Sequence, residues 1–284
     1  MSTGDAMSSG DGTGAGDGPG VARSGAKIVL YVIPGSHACR TAMLMLAHKQ
    51  LPYRLVQLPT GMHPFLVRAL GFPGHKEPIR SVEGSTGRSL ALLDRMGTVP
   101  ALRYGTERVQ TNHRIARFLD SVEPEPPLFP PDAQRRQAVE QAESWGDEVF
   151  QMAARRLGLT GSRNGLDSFR DRGNSGRLGP LLSRSELLRV LTSRGVTSVA
   201  FKANAQVEDQ LLRELPPLLD RIDAWIAEGV LDGPQLYAAD FVIAPSLALI
   251  AYRLDLREQI QARPCGAFLE RVLPEPALAL APPA

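Results

Sequence analysis

A short apolar run that gives way at once to a helix start is the feature that most constrains this chain. Ile28-Val29-Leu30-Tyr31-Val32-Ile33 is rich in β-branched residues and too short for a buried helix. It reads as a central strand of a parallel or mixed sheet, ended by Pro34-Gly35. Ser36 then stands as an N-cap, and Ala42, Met43, Leu46 and Ala47 follow at helical spacing. The stretch therefore delivers a polar Ser-His-Ala-Cys segment onto a helix N-terminus. The unpaired N–H groups there amount to roughly half a positive charge and favour an anion such as a thiolate.

Downstream the apolar period changes. Tyr53-Arg54-Leu55-Val56-Gln57-Leu58 alternates and reads as a second strand, approached through Leu51-Pro52. Ala101-Leu102-Arg103-Tyr104 and Glu107-Arg108-Val109 flank Gly105-Thr106 as a hairpin, and a helix is predicted from about Asn112 to Val122. Between them, residues 59–96 hold Pro59, Gly61, Pro64, Gly71, Pro73, Gly74 and Pro78, with short helical patches expected near 65–70 and 88–96. A loop of that length in a compact domain is functional or disordered. His63 and His75 lie in it, but no second motif joins them into a metal site. Both read as surface or capping histidines, and no metal is expected.

From Glu123 to Pro131 a proline run reads as an extended linker. Beyond it the pattern is helical. Ala138, Ala142, Trp145, Val149 and Ala153 put an apolar face on a helix over about 132–157. Residues 158–180 read as a loop, and a further helix is expected over about 183–193. Val207, Leu211, Leu215, Leu218, Leu219, Ile222 and Ile226 mark another helix, broken or kinked at Pro216-Pro217, and residues 237–253 a buried one. Residues 1–25 have almost no large apolar side chains to offset ordering entropy and read as a disordered tail, with residues 274–284 as a second loose tail.

Composition sets broad bounds. With 43% hydrophobic and 22% charged residues, the chain is an ordinary soluble globular protein. Net charge is +2, and the arginines, 28 of the 32 basic residues, are scattered along the sequence and not clustered with aromatics. Neither nucleic acid nor a membrane is therefore an expected partner. No apolar run approaches the ~20 residues that span a bilayer, and no charged-then-apolar leader opens the sequence. Cys39 and Cys265 are too few and too far apart for a disulfide framework, so a cytoplasmic location is expected.

Four motifs carry a resemblance. Ser36-His37-Ala38-Cys39 is an S-x-x-C at the strand-to-helix junction where thioredoxin-fold proteins carry C-x-x-C. Gly97-Thr98-Val99-Pro100-Ala101-Leu102 resembles a G-x-V-P-A-L segment with a cis proline. Residues 109–119, with Thr111-Asn112 at a helix start and Ile115 and Leu119 after it, resemble a segment that binds a γ-glutamyl group. Ala239-Asp240 resembles the A-D opening of a buried helix. In this order, over most of residues 27–255, they make the chain similar to the glutathione S-transferase family, bacterial type.

The resemblance implies a thioredoxin-like α/β domain over residues 26–122, a linker over 123–131 and an all-helical domain over 132–273. It implies glutathione or another low-molecular-weight thiol as co-substrate, a hydrophobic electrophile, and a homodimer. The expected activity is conjugation of the thiol to the electrophile. The alternatives are a non-catalytic thiol-binding or protein-interaction module on the same scaffold, and a thiol-disulfide reductase that uses Cys39.

Conjugation requires the thiolate, and an alkyl thiol of pKa ~8.5 is mostly protonated at neutral pH. The Ser36 hydroxyl can donate to the sulfur beside a helix N-terminus, or serve as a plain N-cap. His37 can activate or contact a substrate, or simply be an exposed first-turn residue. A register through Pro34-Gly35-Ser36 places His37 where some bacterial members keep a cysteine. Cys39 is a redox thiol without a partner at position 36, or a small buried hydrophobe. Val99 and Pro100 would pair with the thiol peptide, with Thr111 and Asn112 binding its γ-glutamyl end. The family's acidic residue at the Thr111 corner is missing, and Tyr237 replaces the Ser or Thr of the capping box that Asp240 would complete.

Overall fold

The computed structural model describes residues 28–33, 36–59, 62–74, 99–161 and 203–273. The two expected tails, the segment 75–98 with His75, and the helix expected over 183–193 lie outside these residues.

Four strands form one sheet: β1 (Ile28–Val32), β2 (Tyr53–Gln57), β3 (Ala101–Tyr104) and β4 (Glu107–Gln110), in the order β2-β1-β3-β4. β1 runs parallel to β2 and antiparallel to β3, and β3 pairs with β4 across a turn where Gly105 adopts φ +60°. Parallel pairing requires a crossover, and α1 (His37–His48) supplies it. All five residues of β1 are buried because both faces are covered. Leu30 packs with Leu46, Leu102 and Ile115 on the side of α1 and of α3 (Asn112–Val122). On the other side Val29 and Tyr31 pack with Val67 of the short α2 (His63–Ala69) and with Phe72.

The remaining helices among the described residues are α4 (Ala133–Trp145), α5 (Gln151–Gly161), α6 (Ala205–Ala227), α7 (Ala238–Ala251), α8 (Leu254–Gln261) and α9 (Pro264–Val272). This is the thioredoxin-like α/β unit followed by helices. One continuous core joins β1 and α1 to α7, every residue of which is buried.

Two details differ from the sequence expectations. The helix expected over 132–157 is interrupted by a π-helical turn, Gly146–Phe150, and helix continues to Gly161 where a loop was expected from 158. The cause lies in α7. A Cβ at Gly146 would stand 2.9 Å from Val242 Cγ1, and one at Gly158 would stand 3.0 Å from Leu249, so α7 lies close against both glycines. The bulge lets Phe150 stack on Trp145, with ring centroids 5.5 Å apart. Second, of the break or kink expected at Pro216-Pro217, the break is absent: α6 runs on through both prolines. Its buried face, Leu211, Leu215, Leu219, Ile222 and Trp225, continues across the prolines, and that burial offsets the lost hydrogen bonds.

The chain between α3 and α4 is pinned. Lys49, with a wholly buried side chain, donates from Nζ to Glu123 O (2.6 Å) and Pro126 O (2.9 Å) and pairs with Asp120 (2.7 Å). Asp120 also accepts the Leu128 N–H at 2.8 Å. Leu128 and Phe129 are thereby held in the core, and the proline run is not a loose tether.

Candidate thiol site

The strand register gathers the expected site residues at one edge of the sheet. Tyr31 pairs with Ala101, and Ala101 with Gln110. The end of β1, the start of β3 and the end of β4 therefore share an edge. Ser36 follows the first, Pro100 precedes the second and Thr111 follows the third.

Ser36 is the N-cap of α1, and its Oγ accepts the Cys39 N–H at 3.3 Å. Its backbone is extended (φ −76°, ψ 117°), which lets the side chain fold back over the first turn. No acidic residue sits in the first turn of α1 or of α3, so the positive ends of both helices are uncompensated. Pro100 is buried, and the Val99–Pro100 bond is cis.

Thr111 is the N-cap of α3, accepting the Arg114 N–H at 3.4 Å. Its φ of +70° with ψ 143° is an outlier for a β-branched residue. Such a backbone costs on the order of 1–3 kcal/mol and collects at functional sites. The first turn of α3 begins at once after Thr111, beside the shared edge. The start of α3 is fixed from behind, where His113 Nδ1 lies 3.0 Å from the buried carboxylate of Glu143 on α4. Asn112 is only 2% exposed, and its Oδ1 has no hydrogen-bond partner among the described residues. What the corner offers a solute is therefore Thr111 and main-chain N–H groups, with the Asn112 side chain facing the protein.

His37 is not the exposed first-turn residue allowed for in the sequence: it is 5% exposed, turned into the protein by its place at the sheet end of α1. Cys39 is 2% exposed and packs in the main core. Burial pushes its thiol up to about 11, against weaker lowering by the Ser36 hydroxyl and the Ile33 main chain. A thiol so placed stays protonated at neutral pH and cannot serve as a nucleophile. Cys265 is buried too, and burial pushes it up to about 12. At α7, Asp240 accepts the N–H of Tyr237 and of Asp232, each at 2.8 Å, while Tyr237 makes no side-chain cap bond. One half of the reciprocal cap is thus present.

Among the described residues no group of His, Cys, Asp or Glu is arranged to hold a metal ion, and no helix is long and apolar enough to cross a membrane. The sequence signal for the strained corner was weak, since nothing in Gln110-Thr111-Asn112 announces a positive φ at a threonine.

No protein-family model matches the sequence, and no curated protein matches it. Solved structures do resemble it. A glutathione S-transferase of Ceriporiopsis subvermispora in complex with glutathione superposes with a TM-score of 0.56 at 17% identity, over 90% of this chain and 99% of that one. A glutathione S-transferase from Rhodospirillum rubrum F11 gives 0.52 at 21% identity, over 88% and 90%. A GST-like protein from Pseudomonas syringae gives 0.53 at 18% identity over 87% of this chain, which spans 66% of that protein's length. With a thioredoxin-like sheet, a cis proline at its edge and a buried helix opening on Ala-Asp, the fold of this chain is that of the glutathione transferases.

Proposed function

We propose that the chain binds glutathione or a related low-molecular-weight thiol at this edge and transfers it to a hydrophobic electrophile. The observation that carries the reading is the convergence of two uncompensated helix N-termini with the Val99–Pro100 backbone at one sheet edge. An extended thiol peptide would lie along Val99, its sulfur near Ser36 and its γ-glutamyl end at Thr111 and the main-chain N–H of Asn112. The Ser36 cap uses an oxygen lone pair, so the hydroxyl proton remains a donor for a bound thiolate. Capping and catalysis are compatible in one side chain. The glutathione complex of a structural relative supports this choice of thiol. Homodimer formation and a reducing, cytoplasmic setting belong to the same proposal.

A second reading, a thiol-binding or interaction module without turnover, is favoured by the absence of an acidic residue at Thr111 to meet the ligand's ammonium group. The reductase reading draws no support from Cys39, which is buried and protonated. Retention on immobilised glutathione, followed by a conjugation assay with an activated aryl chloride, separates the readings. Retention with turnover supports the transferase, retention without turnover supports the module, and loss of both refutes a thiol site.

A further inference from the structure

The sheet face beneath α2 ends in a row of arginines. Strand register places Arg54 of β2, Val29 of β1, Arg103 of β3 and Arg108 of β4 side by side, and residues paired in register project from the same face. That face is the one α2 covers, because Val29 packs with Val67 and Phe72. Arg103 and Arg108 are direct cross-strand partners, and like charges so placed destabilise a pair of strands.

Among the described residues no carboxylate pairs with them. From residue 28 to residue 74 the chain carries no Asp or Glu. Among the described residues, the hydrogen bonds of this cluster go to main-chain carbonyls: Arg108 Nε to Leu70 O (2.9 Å), Arg108 Nη1 to Thr106 O (3.1 Å) and, on α2, Arg68 Nη1 to Pro73 O (3.2 Å). Among the described residues, Arg103 Nε is buried without a hydrogen-bond partner. A buried guanidinium donor left unpaired beside a second guanidinium is costly, and such an orphan calls for an acceptor.

We propose that this row binds a small anion bearing more than one phosphate group. Arg103 and Arg108, one strand spacing apart (about 4.8 Å), grip one phosphate. Arg54, two spacings from Arg103 (about 10 Å), reaches a neighbouring phosphate of the same molecule. Planar guanidinium groups fit phosphate bidentately, and the bound anion removes the Arg103–Arg108 repulsion. The row lies two residues along β1 from the Tyr31–Ala101–Gln110 row that leads to the thiol edge, so the two sites are adjacent and separate.

Isothermal titration of the full chain with inorganic tripolyphosphate tests the assignment. Wild type should bind one equivalent, and Arg54→Gln and Arg103→Gln should each raise Kd about ten- to a hundredfold, the value of one charge-assisted hydrogen bond. Arg213→Gln, an exposed position on α6, removes the same charge elsewhere and should change Kd less than about threefold. Arg54 is exposed, so its variant keeps the test valid if Arg103→Gln folds poorly. No binding by wild type, or equal weakening in Arg54→Gln and Arg213→Gln, would overturn the proposal.

Discussion

On the proposed function, replacing Ser36 with Ala removes both the cap bond and a donation to the bound thiolate, and the two losses appear in different measurements. The cap bond to the Cys39 N–H, at 3.3 Å, is long for its type, so its loss should cost about 0.5–1 kcal/mol of stability. The donated bond to a bound thiolate is charge-assisted and worth roughly 1.5–3 kcal/mol, or about ten- to a hundredfold in turnover at neutral pH. Because that bond holds the thiol ionised, its loss raises the bound-thiol pKa. The acidic limb of the pH–rate profile then moves to higher pH. Well above the free-thiol pKa the variant should approach wild type, since ionisation no longer needs help. Ser36→Thr, which keeps both cap and donor, should restore the profile. The assay is conjugation with an activated aryl chloride from pH 6 to 10, beside a denaturant titration. A variant that loses stability but keeps the wild-type pH profile would refute the donor role.

Lys49→Met should lower stability by about 3 kcal/mol, because it leaves Asp120 and two carbonyls without their cation; denaturant titration would read it, and an unchanged midpoint would contradict it. Cys39 should resist an aromatic disulfide reagent in the native state at pH 8 and react only on unfolding, and Cys39→Ala should retain conjugation. Burial holds the Asp240 carboxyl up at about 6 against its ordinary 3.8, so the native state keeps a proton that the unfolded chain releases. The stabilisation is full below about pH 4 and lost as pH rises through 6, on the order of 3 kcal/mol. Asp240→Asn should flatten that part of the pH dependence, and parallel curves for the two proteins would contradict the assignment.

Much of the fold was legible because its signals are local. The β-branched run at 28–32, the Ser36 cap and the Gly105 turn each specify their element within a few residues, and the cis bond at Pro100 was expected from its motif. The π turn was not legible, because its cause is α7 pressing on Gly146 from almost a hundred residues away. The burial of His37 likewise depends on the neighbours that the fold brings to it. The arginines looked scattered along the chain, yet strand pairing puts Arg54, Arg103 and Arg108 in one row. The strain at Thr111 is a property of the β4–α3 corner and not of its residue type.

In the proposed function, the edge formed by Ser36, Val99–Pro100 and Thr111 stabilises a thiolate. Ultraviolet titration of glutathione bound to the wild-type protein measures it directly, by the thiolate absorbance against pH. The bound-thiol pKa should lie below that of free glutathione, so that thiolate is already visible near pH 7. A titration that coincides with free glutathione, with binding shown independently, would contradict it.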